Sequence, residues 1–224
     1  MDSYKIPRHK VFISFHNDDK DFKEYLVQMT EYNPETKKSQ SIFDDYSVGE
    51  GDIDDSKMSD EEVRIKIRDE FIKEATVLVL LCGKETKYRK FVDWELHAAM
   101  YDTEKNPKLG IVVINLPTIE GKNCIHAGQE DEKSLMSDNT NWFRIETRAE
   151  FENKYQSLPS RLIDNLISEA NDEDIVHITI TEWNTIANDC GVLKTLIDNA
   201  FKRSRDKDKH YNHSAPLRCR NSRG

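Results

Sequence analysis

Four short apolar runs are spread along the chain at wide intervals. They are VFISF at 11–15, VLVLL at 77–81, LGIVVI at 109–114 and VHITI at 176–180. Continuous runs of β-favouring residues are typical of strands that are buried on both faces of a parallel sheet. The pattern therefore predicts four strands of one buried sheet.

Between these runs the apolar residues take the spacing of helices. Helices are predicted at 19–29, 60–75, 90–103 and about 188–203. The second begins with a capping box of Ser59 and Glu62, and it should face the core through Val63, Ile67 and Phe71. Strands that alternate with helices predict a doubly wound, mostly parallel α/β sheet with helices on both faces.

Three segments depart from this alternation. The stretch SIFDDYSV at 41–48 is predicted to hold a short second strand that ends in an acidic loop. Residues 117–157 are polar and are predicted to form an insertion of loops and short elements. The stretch 202–224 has eight Lys or Arg against two Asp and little apolar content. We therefore expect one domain at 1–204 and a flexible basic tail at 205–224 that folding does not require.

Charge and cysteine content narrow the function classes. The formal net charge is −9, which argues against nonspecific binding to nucleic acid or to an anionic membrane. No apolar run has the length of a membrane span and the first residues lack the apolar core of a signal peptide, so a cytoplasmic protein is expected. Four scattered cysteines without a CxxC pair predict free thiols: Cys82, Cys124, Cys190 and Cys219.

Common cofactor and metal motifs do not account for this chain. The pair His210 and His213 lacks companion ligands, and the acidic stretch after Phe43 does not follow the EF-hand order. The patterns GxGxxG, GxxxxGK[ST] and GxSxG do not occur. We expect no metal and no bound cofactor.

The stretch FVDWELHAAM at 91–100 places a charge where a helix should be apolar. The positions three and four residues from Glu95 hold Phe91, Val92, Ala98 and Ala99. A carboxylate in such a stripe is a candidate for a desolvated catalytic group, and the alternative is a glutamate that reaches solvent or a neighbouring loop.

Ligands of open α/β sheets bind beyond the carboxyl ends of the strands. In this sequence those ends carry SFHN at 14–17, DDY at 44–46 and CGKE at 82–85. Glu95 lies on the helix just after the third loop, within reach of the same edge. The candidate site therefore draws on these loops and on Glu95.

Two of these stretches resemble a known family. KVFISFHNDDKDF is similar to the first strand and turn of TIR domains, especially of the bacterial TIR-like group that serves Thoeris anti-phage defence. TKYRKFVDWELHAAM is similar to the family's third helix, which carries a catalytic glutamate. The resemblance covers roughly residues 10–116 well and the last strand and helix loosely.

The resemblance implies a flavodoxin-like sheet and cleavage of the nicotinamide–ribose bond of NAD⁺, with a cyclic or rearranged ADP-ribose messenger as product. NAD⁺ would then be a substrate and not a cofactor. Glu95 would stabilise the cation-like ribose. The residues expected to line the pocket are Ser14, Phe15, His16, Asp45, Cys82 and Trp94. The implied partners are further copies of the chain on activation, a phage-derived trigger and an effector that senses the product.

Two other readings stay open at the level of sequence. A noncatalytic TIR-like module would signal by assembly alone. A response-regulator receiver would place Asp18 and Asp19 after its first strand, but it needs an aspartate at the end of its third strand, where this chain has Leu81, Cys82 and Gly83.

Overall fold

The computed structural model describes residues 8–34, 37–47, 58–104, 106–136, 147–218 and 221. The strands are β1 (Lys10–Ser14), β2 (Thr30–Asn33), β3 (Lys38–Ser41), β4 (Asp44–Asp45), β5 (Val77–Cys82), β6 (Gly110–Asn115) and β7 (Thr179–Glu182). The helices are α1 (Lys20–Gln28), α2 (Asp60–Lys66), α3 (Lys90–Met100), α4 (Arg148–Lys154), α5 (Ser160–Glu169), α6 (Trp183–Asn188) and α7 (Cys190–Ser204).

Five strands form one parallel sheet in the order β4-β1-β5-β6-β7. The four predicted apolar runs all contribute to it, and every residue of β5 and β6 is buried. The strand predicted at 176–180 begins later, at Thr179, because the backbone N–H of Val176 donates to His210 of the C-terminal segment and not to β6. The α/β prediction is confirmed.

Helices cover both faces of the sheet. One face packs under α2, α3, α4 and α5, and the other packs under α1, α6 and α7. The alternation along β1 shows the division, since Phe12 faces the first layer while Val11 and Ile13 face the second. This arrangement is the doubly wound one that the alternation of strands and helices predicted.

The helix predicted at 60–75 is confirmed with one change in its form. Ser59 and Glu62 make the reciprocal capping contacts, with the backbone N–H of Ser59 donating to the Glu62 carboxylate at 2.7 Å. Val63 and Ile67 are fully buried and Phe71 packs against the same cluster. After Lys66 the helix widens into a π-helical stretch, Ile67–Ile72, which a 3.6-residue pattern does not foresee.

The sheet edge and the insertion contain elements that the sequence showed poorly. The predicted second strand is the two-residue β4, and an antiparallel hairpin of β2 and β3 precedes it. The insertion holds the short 3₁₀ segment Glu130–Ser134 and α4, whereas Trp142 and Phe143 lie outside the described residues. Helices α5 and α6 were not predicted.

The segment 205–218 is not the detached tail that the sequence predicted. Tyr211 is buried, and its hydroxyl donates to the Leu109 carbonyl at 2.9 Å. Asn212 exchanges hydrogen bonds with Asn165 of α5. The segment has few apolar residues, but its backbone is fixed by polar side chains of the core, and a boundary at residue 204 therefore divides one packed unit.

Two further expectations concern thiols and membranes. Cys82, Cys124 and Cys190 are free thiols, and Cys219 lies outside the described residues. Among the residues that the structure describes, no helix combines the length and apolar character needed to cross a bilayer.

Candidate functional site

The candidate site lies at the carboxyl ends of the neighbouring strands β1 and β5. Strand β1 ends at Ser14 and β5 ends at Cys82, and a short loop with a 3₁₀ turn at Thr86–Tyr88 leads from β5 into α3. Helix α3 packs on the face of the sheet that carries Phe12 and Leu80. This packing brings the side of α3 that holds Glu95 against the end of β1.

Glu95 contacts Ser14 directly. The Ser14 hydroxyl donates to Oε2 of Glu95 at 2.6 Å, and both side chains are buried. Burial raises the pKa of the Glu95 carboxyl to about 7, although the hydrogen bond from Ser14 opposes this rise. A carboxyl with this pKa can exist in either protonation state near neutral pH, which is the range that acid–base catalysts employ.

Phe15 and His16 follow Ser14 but turn elsewhere. Phe15 is half-buried and packs against the α1 and α7 face of the sheet, opposite to Glu95. Nδ1 of His16 accepts a hydrogen bond from the backbone N–H of Asp18 at 3.3 Å and caps the turn at Asn17–Asp19. The described contacts of these two residues do not reach Glu95.

Asp45 belongs to the sheet edge. Burial would raise its pKa, but hydrogen bonds from Lys23 and Ser47 hold the pKa below its ordinary value, so the carboxylate is ionised. Lys23 donates to it at 2.6 Å. Asp45 is thereby engaged in joining β4 to α1.

Cys82 is a buried thiol and not a nucleophile. Its Sγ donates to the Ser157 carbonyl at 3.3 Å, and burial raises the pKa of the thiol to about 12. A thiolate is the reactive form of cysteine, and a pKa in this range leaves almost none at neutral pH. Cys82 therefore shapes the end of β5 without reacting.

Trp94 was expected to form a wall of the pocket, and the structure gives it another environment. The ring is fully buried and lies edge-to-face with Phe91 at 5.3 Å between centroids. Its Nε1 donates to the Arg218 carbonyl at 2.9 Å. Trp94, which directly precedes Glu95 in α3, thus joins this helix to the C-terminal segment.

Asp19 is a residue of this edge that the sequence analysis did not assign to the site. Its carboxyl is buried, which raises its pKa, while a hydrogen bond from the Thr118 hydroxyl at 3.1 Å opposes the rise. A Cβ on Gly83 would lie 2.1 Å from Oδ2 of Asp19. The Asp19 carboxyl therefore lies directly against the backbone of Gly83 at the end of β5. Any residue with a Cβ would clash with it, so this position needs a glycine.

No group of three or more metal-binding side chains occurs within the described ranges. The end of β5 carries Cys82 and Gly83, so the phosphoacceptor aspartate of a receiver is missing from its position. These observations leave the Glu95–Ser14 pair as the centre of the candidate site.

A five-stranded parallel sheet in this order, with a buried glutamate on the helix after its central strand, defines a flavodoxin-like, TIR-like α/β domain. The family model described as Thoeris protein ThsB, TIR-like domain, matches residues 12–120. Residues 12–120, just under half of the chain, are therefore similar to the TIR-like domain of the Thoeris protein ThsB. No curated protein matches the chain at a significant level. The match includes Ser14, Cys82 and Glu95.

Proposed function

We propose that the protein cleaves NAD⁺ at the nicotinamide–ribose bond and that Glu95 is the catalytic carboxylate. The contact between Glu95 and Ser14, buried at the carboxyl edge of the sheet, carries this proposal. The family match supports it, because it covers the end of β1 and the whole of α3.

The most important protein group for cleavage of the nicotinamide–ribose bond is a single carboxylate. The bond between the ribose C1′ and the nicotinamide nitrogen breaks, its electron pair leaves with the ring as neutral nicotinamide, and the ribose becomes cation-like. A fixed carboxylate stabilises this charge as it develops, and its effect is largest where water is excluded. Attack by water then releases a proton and gives ADP-ribose, whereas attack by a nucleophile of the ADP-ribosyl group itself gives a cyclic product.

Burial suits Glu95 to this role. The carboxyl without substrate has a pKa of about 7. The positive charge of the nicotinamide ring would favour the ionised carboxylate on binding, since an opposite charge lowers a carboxyl pKa. The Ser14 hydroxyl holds the carboxylate in one orientation from the end of β1. Glu95 would therefore be held in a fixed position and would ionise more fully when NAD⁺ binds.

The test is nicotinamide release from NAD⁺ by purified protein at high concentration, with mass spectrometry of the nucleotide product. Glu95→Gln keeps the volume of the side chain, and we expect turnover to fall roughly 100-fold or more while NAD⁺ binding weakens much less. Glu24→Gln on α1 is the matched control, because Glu24 is exposed and pairs only with Lys20 at 3.6 Å among its described ion pairs. A Glu95→Gln protein that cleaves NAD⁺ at the wild-type rate would refute the role of Glu95.

A protein that stays inactive at every concentration, with and without phage lysate, would instead favour a noncatalytic module that signals by assembly. In that case Glu95→Gln should leave assembly unchanged. Measuring self-association of the same two variants by light scattering separates the two functions.

A further inference from the structure

A cavity lies at the same edge of the sheet as the Glu95–Ser14 contact, between the ends of β6 and β7. It has a volume of about 200 Å³, and its lining includes Asn115, Asn123, Glu182 and Trp183. Asn115 is the last residue of β6 and stands in register with Glu182 of β7 and with Cys82 of β5. The cavity thus lies on the edge where open α/β sheets bind ligands.

The orientation of the Asn115 amide is fixed by a chain of hydrogen bonds that starts at a backbone group. The backbone N–H of Ser157 can only donate, and it donates to Oδ1 of Asn123 at 2.8 Å. Nδ2 of Asn123 therefore faces Asn115 and donates to its Oδ1 at 3.0 Å. The remaining atom of the Asn115 amide must be Nδ2, which is a hydrogen-bond donor.

This donor has no protein partner within the described residues. Asn115 is only 4% exposed, and its Nδ2 is buried without a hydrogen bond. A buried donor left without an acceptor is unfavourable, because it has lost its hydrogen bond to water. Asn115 lines the cavity, so a ligand whose acceptor atom reaches Nδ2 would satisfy this donor.

Two other side chains complete a recognition pattern. Glu182 is exposed and makes no ion pair with another described residue, so its carboxylate can accept from a ligand N–H. The Trp183 indole is half-buried and is fixed by an edge-to-face contact with Phe22 at 4.7 Å between centroids. One donor, one acceptor and one aromatic ring suit a flat ring with an acceptor and an amino group on the same edge.

The size of the cavity restricts the occupant to a ring. A volume of about 200 Å³ is below the range of roughly 300–1,000 Å³ that holds drug-sized ligands. Adenine presents the required pair of groups through its N7 acceptor and its N6 amino donor. The carboxamide of nicotinamide presents a similar pair, so distance must decide between the two ends of NAD⁺.

Distance favours adenine. Strand β6 is two strands away from β1 in the sheet, and neighbouring strands lie about 4.8 Å apart, so Asn115 is about 10 Å across the sheet from the end of β1. Nicotinamide is bonded directly to the ribose that would react beside Glu95. Adenine is separated from that ribose by the pyrophosphate and the second ribose.

We propose that this cavity binds the adenine ring of the substrate, with Asn115 donating to N7, Glu182 accepting from the 6-amino group and Trp183 stacking on the ring. The assignment of the adenine to NAD⁺ rests on the proposed function of Glu95. The binding of an adenine ring does not, because it requires no reaction.

Calorimetric titration with AMP and IMP tests the proposal, because IMP carries a carbonyl in place of the 6-amino group. Wild-type protein should bind AMP roughly ten-fold or more tightly than IMP, since the Glu182 carboxylate repels that carbonyl. Glu182→Gln changes an exposed side chain and should bring the AMP:IMP ratio close to one. Asn115→Leu keeps the side-chain volume, removes the donor and should weaken AMP binding roughly ten-fold, with a melting curve to confirm that it folds.

Three results would overturn the proposal: no AMP binding by wild-type protein at millimolar AMP, equal affinity for AMP and IMP, or displacement of AMP by nicotinamide. Glu95→Gln should bind AMP like the wild type. AMP binding together with absent NAD⁺ cleavage would refute the proposed reaction and leave the adenine site standing. Cleavage without AMP binding would refute the adenine site alone.

Discussion

Arg161 of α5 holds the carboxylate of Asp93 of α3 with two hydrogen bonds, from Nε at 2.8 Å and from Nη2 at 3.0 Å. Both side chains are buried. The same guanidinium donates to the carbonyls of Ala215 and Pro216, and the backbone N–H of Arg218 donates to Asp93. A single ion pair therefore joins the helix that carries Glu95 to α5 and to the C-terminal segment.

Removing one member of this pair should be costly. Asp93→Ala leaves the Arg161 guanidinium buried without its counter-ion, and we expect the free energy of unfolding to fall by about 3–5 kcal/mol. The matched control is Asp164→Ala, which breaks the partly exposed pair with Arg148 and should cost about 1 kcal/mol or less. Urea unfolding followed by circular dichroism measures both, and equal losses in the two variants would contradict the importance of burial.

The C-terminal segment should be needed for full stability. Tyr211→Ala removes a buried ring and the hydrogen bond to Leu109, and the expected loss is about 3–5 kcal/mol. Tyr32→Ala is the control, because Tyr32 is 65% exposed and its replacement should change stability by only about 0.5 kcal/mol. Deletion of residues 205–224 should lower the melting temperature further, and a deletion variant that melted like the full chain would show that the segment contributes nothing.

Two isoleucines of α2 and its π-helical continuation give a paired test of the core. Ile67 is fully buried, whereas Ile65 is 44% exposed. Ile67→Asp should cost several kcal/mol because it buries an unpaired carboxyl, roughly 4 kcal/mol or more. Ile65→Asp should be nearly neutral. Thermal melts of the two variants measure the difference. Similar melting temperatures would show that the face of the helix that carries Ile67 does not pack against the sheet.

Stability should depend on pH through Glu95. Its pKa rises from 4.5 to about 7 on folding, so between these values the folded state keeps a proton that the unfolded state releases. The free energy of unfolding is therefore highest, as far as Glu95 is concerned, below pH 4.5. It falls by about 3 kcal/mol in all as the pH rises through 7, because the folded protein must then bury the ionised carboxylate.

Glu95→Gln has no carboxyl to ionise, so its free energy of unfolding should not fall over this pH range. The variant should be more stable than the wild type by about 3 kcal/mol above pH 7, with a difference that shrinks as pH falls toward 4.5. Urea unfolding at several pH values measures the difference. A stability difference that does not vary with pH would show that Glu95 does not titrate in this range.

Ser14 should tune the protonation of Glu95 if the proposed reaction is correct. Its hydrogen bond lowers the pKa of Glu95, so Ser14→Ala should raise that pKa and move the rise of NAD⁺ cleavage to higher pH. At pH 7 the rate should fall roughly ten-fold, which corresponds to about 1.4 kcal/mol, and it should recover as pH increases. Ser134→Ala is the control, and an unshifted pH profile in Ser14→Ala would assign Ser14 a purely structural role.

The buried strands and the helices α1, α2, α3 and α7 followed from the sequence because their signal is local. A parallel strand that is buried on both faces is apolar along most of its length, as β5 is throughout and β6 is up to Asn115. Glu95 was found by a local contradiction, one charge within an apolar stripe, and its burial agrees with that reading. The features that could be predicted are therefore those that depend on the residues of one continuous segment.

The elements that were missed depend on partners distant in sequence. The hairpin of β2 and β3 is polar and partly exposed. Residues 205–218 contribute the buried Tyr211, but their backbone is also held by Arg161 and Trp94, which are distant in sequence. The donor of Asn115 becomes visible only when Ser157 and Asn123 are placed beside it. Side chains that are oriented by backbone groups elsewhere in the chain leave no periodic pattern to read.

The contact between the C-terminal segment and α3 also bears on the order of events during synthesis. Residue 218 is added about 6–25 s after residue 95 at typical rates of translation. Until then Asp93 and Trp94 lack the backbone groups of Arg218 that they bind in the folded protein. The helix that presents Glu95 therefore gains these contacts only after residue 218 has been added, and until then a nascent chain holds its candidate catalytic residue without them.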